Sequence, residues 1–321
     1  MKSLKRSIAT CAIFLATLAL AIFAQAGGQT RLRSRSHRAS FAPNAAPTPK
    51  PKFQLDCVLP ALTPNALSID KQCDNDGDSS GDSAKQNEMK NRFCLPGSPT
   101  SPIELTFDTF KDLQAKAEAK GIHFGRVGQP PNDKEDLPQD RSLLVDMVTV
   151  NGQQVGEGSL VTLEGFVFKA KHSNVGSGES VNCHFKKLGD NDIHIALART
   201  KNGTKAGADE CQTLTAEISP HHRSAIYNRF DTDPRDFLMG KPQKPGKDKL
   251  KGSPLPLQGA RVRVTGQLFF DGSHSPCGSS RGGRSLRSSI WEVHPVFTIE
   301  VFEKTKNKFI PFPDWAQLHS Q

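Results

Sequence analysis

The first 52 positions contain no acidic residue, while Lys2, Lys5, Arg6, Arg31, Arg33, Arg35, Arg38, Lys50 and Lys52 all lie there. Those cations account for the whole formal excess of +9 in a chain of 42 basic and 33 acidic residues. Everything after position 52 is therefore neutral on balance, which removes bulk electrostatic attraction as an argument for a polyanion partner. Beyond residue 23 no apolar run is long enough to cross a bilayer as a helix. No two cysteines stand at C-x-x-C spacing, so the local motif that zinc or dithiol redox chemistry would want is missing. H-E-x-x-H, G-x-S-x-G and the P-loop are missing too, and with them sequence support for those hydrolase and nucleotide-binding classes.

What stands at the start is a leader pattern. Lys2, Lys5 and Arg6 precede an uncharged apolar run over 8–23, and Ala24-Gln25-Ala26 is a small-x-small cleavage site. Residues 1–26 are expected to be a signal peptide cut near Ala26, giving a secreted or periplasmic protein with no stable membrane span after processing. Cys11 lies inside the apolar run and not just after a cleavage site, so a lipoprotein anchor is not supported. Six cysteines then remain: Cys57, Cys73, Cys94, Cys183, Cys211 and Cys277. An even number in an exported chain points to disulfides, with 15 possible pairings. Three lie in the N-terminal part and three beyond it, so full pairing needs at least one bridge between the two parts. Separately, a Cys183–Cys277 bridge within the second group, joining two long loops, is a guess.

Residues 27–52, rich in Arg, Ser, Ala and Pro, cannot bury enough surface to order themselves and read as a basic tether. Residues 53–130 read as a small helical, cysteine-containing region. Residues 83–93 are helix-forming and end at Cys94, and Thr106 can cap a helix in which Phe107, Phe110, Leu113 and Ala117 recur at helical spacing before Gly121. The stretch 74–82 resembles the start of a calcium loop. It then carries Ser79 where a glycine is wanted and Lys85 where a bidentate Glu belongs, so an acidic turn is expected. Residues 127–141 read as a linker.

From about 143 the chain turns to strands. Asn151-Gly152 signals a hairpin after the alternating stretch 144–150. Five longer strands are expected over 161–170, 192–199, 214–219, 260–271 and 291–302, with a short helix-compatible stretch over 220–230 between the third and fourth. This order, three strands, a helix and two strands, resembles the oligonucleotide/oligosaccharide-binding (OB) fold. The fold class expected is mainly β, a five-stranded Greek-key barrel over 143–305 with a small helical region before it and a tail over 306–321.

Strand parity sorts the side chains. Ile193, Ile195 and Leu197; Leu214, Ala216 and Ile218; Val262, Val264 and Leu268; and Trp291, Val293, Phe297, Ile299 and Val301 fall on inner faces. Asp192 and His194, Thr215 and Glu217, Arg261, Arg263 and Phe269, and Glu292, His294 and Glu300 fall on outer ones. His194, Glu217 and His294 form a candidate zinc or acid–base cluster, because imidazole and carboxylate can ligate a metal or carry a proton. The OB resemblance implies ligand-flanking loops over 173–191 and 272–289. The second carries Arg281, Arg284 and Arg287, planar donors suited to phosphate or carboxylate. Arg261 and Arg263 complete the candidate binding set, with Phe269 as an outward ring for stacking. Lys241, Lys244, Lys247, Lys249 and Lys251 read as a solvated run. The function expected is an exported, non-enzymatic binding module for an anionic or polar polymer, a nucleic acid or envelope glycan, with no resident cofactor. A metal-dependent secreted hydrolase or nuclease using His194, Glu217 and His294, with zinc, is the second reading, and a structural envelope protein with a protein partner the third.

Overall fold

The elements begin where local chemistry starts them. Thr106 accepts from the Thr109 amide while the Thr109 hydroxyl accepts from the Thr106 amide, closing a capping box on the helix Phe107–Ala119. Asn151 and Gly152 both take positive φ, 49° and 81°, which lets a two-residue turn join Val148–Val150 to Gln153–Val155. A computed structural model describes residues 69, 72–92, 101–221, 223–233 and 255–319. The leader (1–26), the tether (27–52), Cys57, Cys94 and the lysine run lie outside the described residues.

The strands are β1 (Ile103–Leu105), β2 (Arg126–Val127), β3 (Lys134–Glu135), β4 (Val148–Val150), β5 (Gln153–Val155), β6 (Leu160–His172), β7 (Ile193–Ala198), β8 (Leu214–Ile218), β9 (Arg261–Phe270), β10 (Trp291–Glu303) and β11 (Lys308–Pro311). The helices are α1 (Gly81–Lys90), α2 (Phe107–Ala119) and α3 (Phe312–Leu318). Five strands close a barrel. β6 pairs antiparallel with β7, and β7 with β8; β8 runs parallel to β10, β10 antiparallel to β9, and β9 returns antiparallel to β6. The long strand β6 serves two neighbours, β9 along 160–166 and β7 along 166–172. β1 extends the sheet parallel to β6, and β11 extends it antiparallel to β10. The chain is thus mainly β, a closed five-stranded barrel with few helices, in the strand order expected. Between β8 and β9 the expected helical stretch is a short 3₁₀ turn, Ala225–Arg229.

One apolar core fills the barrel and spreads beyond it. Ile193, Ile195, Val262 and Val264 share it, fully buried, with Leu214, Ala216, Trp291 and Val293. Each such side chain contributes about 1.5–3 kcal/mol by leaving water. Phe107, Phe110, Leu113 and Ala117 of α2 belong to the same core, so this helix packs onto the barrel. Ile310, Phe312, Trp315 and Ala316 join it too, so residues 308–318 of the expected tail are a strand and a helix. Phe297 departs from its parity. Two register shifts between Val293 and Thr298 turn β10 locally, and Val296 enters the core in its place. Gly266 sits opposite this irregularity, where a Cβ would meet the Pro295 carbonyl oxygen at 2.3 Å.

Two disulfides staple the loops. Cys73–Cys183 joins the turn before α1 to the 173–192 loop, and Cys211–Cys277 joins the segment before β8 to the 271–290 loop. The guessed Cys183–Cys277 bridge is therefore incorrect: each loop is tied to its own neighbour. Such bridges fit an oxidising compartment. No helix among the described residues is long and apolar enough to cross a membrane.

Candidate functional site on the outer face of the barrel

Strand pairing decides which outward side chains meet. The antiparallel register of β7 and β8 sets His194 directly opposite Glu217. The parallel register of β8 and β10 pairs Thr215 with Glu292, which brings His294 abreast of Glu217. The three residues predicted to cluster do so. His194 Nε2 lies 3.3 Å from Glu217 Oε1, and Glu217 Oε2 lies 2.9 Å from His294 Nδ1. The row continues further than expected. His294 Nδ1 is 3.3 Å from Glu292 Oε1, Arg287 donates to Glu292 and to Asp271 at 2.5 Å each, and His274 Nδ1 is 2.6 Å from Asp271. Base and acid alternate from His194 to His274.

This row is not turned to solvent. Glu217, Glu292, His294, Asp271 and Arg287 are all buried. Helix α1 lies over them: Gln267 donates to the Met89 carbonyl at 2.7 Å, and the Gly272 amide donates to Gln86 at 2.9 Å. Asn87 of the same helix and its C-cap Asn91 donate to the 74–79 turn and to residues 180–181, so the acidic turn works as a clasp. Among the described residues its carboxylates form no metal-sized donor group. Beneath the helix Lys90 is buried; desolvation opposes its charge, but Asp271, Glu217, Glu179 and Glu292 outweigh that and hold its ammonium well above the ordinary range.

The neighbours set the protonation of the row. Burial pushes Glu217 up, yet His194, Lys90 and His294 together hold its carboxyl far below its usual value. Burial works against the His294 imidazolium, but Glu217 and Glu292 raise it to about 10. Asp271, despite burial, is kept well below the ordinary carboxylate range by His274, Lys90 and Arg287. Asp192 is the exception. Burial raises it to about 7, with Glu179 and Glu217 adding to the shift against His294 and Lys90. Neither of its oxygens has a hydrogen-bond partner, although it is 1 % exposed. One donor atom each from Asp192, Glu217 and His294 lie within 4.8 Å of one another, and the same holds for Glu179, Asp192 and His194.

A cleft of about 140 Å³ opens beside this row. His194 and Glu217 line it from the barrel, with Lys171 and Thr215, while His274 and Arg287 line it from the 271–290 loop. His194 is 30 % exposed and His274 44 %, so the row meets solvent here. The exposed Leu286 also borders the cleft.

The arginine set divides. Arg287 is locked in the buried row and is not a free loop donor. Arg281 is held by Asp136 and by the Phe124 carbonyl, across the Phe124 ring. Arg284 is exposed. Arg261 and Arg263 lie on the opposite outer face, paired with Glu164 and Glu300. Phe269 does point out of the barrel but is fully buried under Lys90, Arg141 and His294, so no base can stack on it. Lys90 was not anticipated because its carboxylate partners lie far along the chain, and Glu179 and Asp271 because they stand in loops where no alternation marks them; Asp192 and Glu292 carried the parity signal and lacked only the register. Compared with known protein families, with curated proteins and with solved structures, the chain shows no match.

Proposed function

We propose that this chain is an exported, non-enzymatic binding module of the OB class whose ligand enters the cleft between β7, β8 and the 271–290 loop. The observation that carries the reading is the cleft's position. It opens on the second and third barrel strands beside the loop joining the fourth and fifth, where OB barrels take oligomeric ligands. Its volume of about 140 Å³ is well below the roughly 300–1,000 Å³ of a pocket that encloses a whole small molecule, so it receives one group of a larger ligand. Imidazole, carboxylate, hydroxyl, ammonium and guanidinium meet there, a mixture that suits the hydroxyls of a sugar unit. A base would need an exposed ring, and Phe269 is covered. An envelope glycan is therefore favoured over nucleic acid. Export rests on the leader pattern together with the two disulfides.

The test is a binding screen of the processed, oxidised protein against envelope glycans and single-stranded DNA. Glycan binding that falls at least tenfold with His194→Ala or Lys171→Glu, and is unchanged by Arg284→Ala, supports the reading. Binding to neither polymer class, or binding lost only on Arg284→Ala, rejects it. A metal-dependent hydrolase would need these same residues to hold an ion, which is a separate claim with a separate test.

A further inference from the structure

We infer that His194, Glu217, His294 and Asp192 form a binding site for a divalent transition-metal ion of the zinc type, set between the barrel face and helix α1. The inference goes beyond the binding reading and does not depend on what the cleft takes.

The starting point is Asp192. A carboxylate removed from water costs several kcal/mol unless it is paired. Both oxygens of Asp192 are buried without a hydrogen bond. The nearby buried guanidinium of Arg223 lends Asp192 charge but no hydrogen bond: its two terminal nitrogens donate to the carbonyls of Asn191, Ile218, Leu188 and Gly189. The other cations are committed as well: Arg287 to Glu292 and Asp271, and Lys90 shared among the carboxylates around it. Around Asp192, five carboxylates (Asp192, Glu217, Glu179, Glu292 and Asp271) face three permanent charges, Lys90, Arg287 and Arg223. A divalent ion matches that difference at a carboxylate whose two oxygens have no hydrogen-bond donor.

The neighbouring imidazoles keep unpaired nitrogens, His194 in a donor group with Asp192 and Glu179, His294 in one with Asp192 and Glu217. His194 Nε2 and His294 Nε2 are both buried without a hydrogen bond. His294 Nδ1 faces Glu217 at 2.9 Å and Glu292 at 3.3 Å; with Glu217 a ligand, Glu292 is the outer carboxylate that orients the imidazole. Donor atoms of Asp192, Glu217 and His294 lie within 4.8 Å of one another. Tetrahedral ligands about 2.0–2.2 Å from a common ion stand roughly 3.3–3.6 Å apart, so the donors must close by up to about 1.5 Å on binding. Two imidazoles with two carboxylates are a borderline donor set, suited to zinc and its first-row neighbours, whereas calcium and magnesium favour all-oxygen sites. Among the described residues no thiolate competes, since Cys73, Cys183, Cys211 and Cys277 are in disulfides. His194, partly exposed in the cleft, marks the route by which an ion and a solvent or ligand oxygen would reach the site.

The experiment uses the full-length, oxidised protein purified without a histidine tag and stripped with a chelator, then titrated calorimetrically with Zn²⁺, Mn²⁺ and Ca²⁺. Expected is one transition-metal ion per chain at micromolar affinity or tighter, and no comparable Ca²⁺ binding. Asp192→Asn is expected to weaken Zn²⁺ by on the order of 100-fold, and Glu292→Gln, through orientation of His294, by roughly 10- to 100-fold. In metal-free buffer Asp192→Asn should melt no lower than the parent, because the amide removes an unpaired buried charge; a purely structural aspartate would show the opposite. X-ray absorption at the zinc edge should give mixed nitrogen and oxygen neighbours, which keeps the claim testable if a variant fails to fold. Absence of stoichiometric transition-metal binding by the parent, unchanged affinity in Asp192→Asn, or a coordination shell without nitrogen would overturn it.

Discussion

The barrel carries two polar outer faces built by the same alternation, and they behave as opposites. On one, Glu164 of β6 and Glu300 of β10 flank Arg263 of β9 at 3.8 and 3.5 Å, and Arg261 joins Glu164 at 2.6 Å. These side chains stay about a third or more exposed, and Arg263 lies 4.2 Å over the Phe309 ring. Water competes for each charge, so such pairs contribute little singly. On the other face, Glu217, His294, Glu292, Arg287 and Asp271 alternate in the same way but are buried under α1 and the 173–192 loop, and His194 ends the row in the cleft. There each charge depends on its neighbour, because water cannot take its place. The difference teaches that strand parity tells which way a side chain points and nothing about what lands on top of it.

The sharpest way to break this contrast is Arg287→Ala. It strands Asp271 and Glu292 in a buried setting and is expected to cost roughly 3–5 kcal/mol in denaturant unfolding. A loss below about 1 kcal/mol would make the two faces energetically alike. Next comes the cover. Replacing Cys73 and Cys183 by Ala opens a bridge with a sequence separation of 110 and is expected to cost about 2–4 kcal/mol. Hydrogen exchange should then quicken in α1 and the 173–192 loop while β6 and β9 stay protected. Uniform loosening of the whole chain would show that the cover is not a separable layer.

A smaller effect is tied to pH. Asp271 raises His274 above its ordinary value, against burial and the nearby Arg287 and Lys90 charges. A raised folded-state value means that this pair's stabilisation is fully present below the unfolded value of about 6.5 and is lost as pH rises through the folded one. Melting temperatures of the parent and His274→Gln should therefore differ most in mild acid and converge toward alkaline pH. A gap that widens with pH contradicts the assignment. The smallest change belongs to the open face: Arg263→Ala should cost within about 1 kcal/mol, and part of that should disappear in high salt.

Much of the fold could be read from the residue pattern, and less of the site. Ile193, Ile195, Val262 and Val264 announced an inner face because apolar residues at period two have one place to go. His194, Glu217 and His294 were legible as outward on three strands, and a common strand order was enough to bring them together. Phe297 misled because β10 changes register around Val296, an irregularity no period reveals. Phe269 and Arg287 misled differently. Their direction or loop was read correctly, but their exposure was set by Lys90 and Arg141 in one case and by Asp271 and Glu292 in the other.

Taken alone, the residue string determined the strand order, the capped helix, the Asn151-Gly152 turn and the confinement of excess positive charge to the first 52 positions, because each depends on near neighbours along the chain. Tertiary structure alone decided that Cys73 meets Cys183, that Lys90 settles among four carboxylates, and that Asp192 is left without a partner. Those outcomes turn on segments up to about two hundred positions apart converging on one face, and burial, which sets the strength of every charge there, exists only once they have converged.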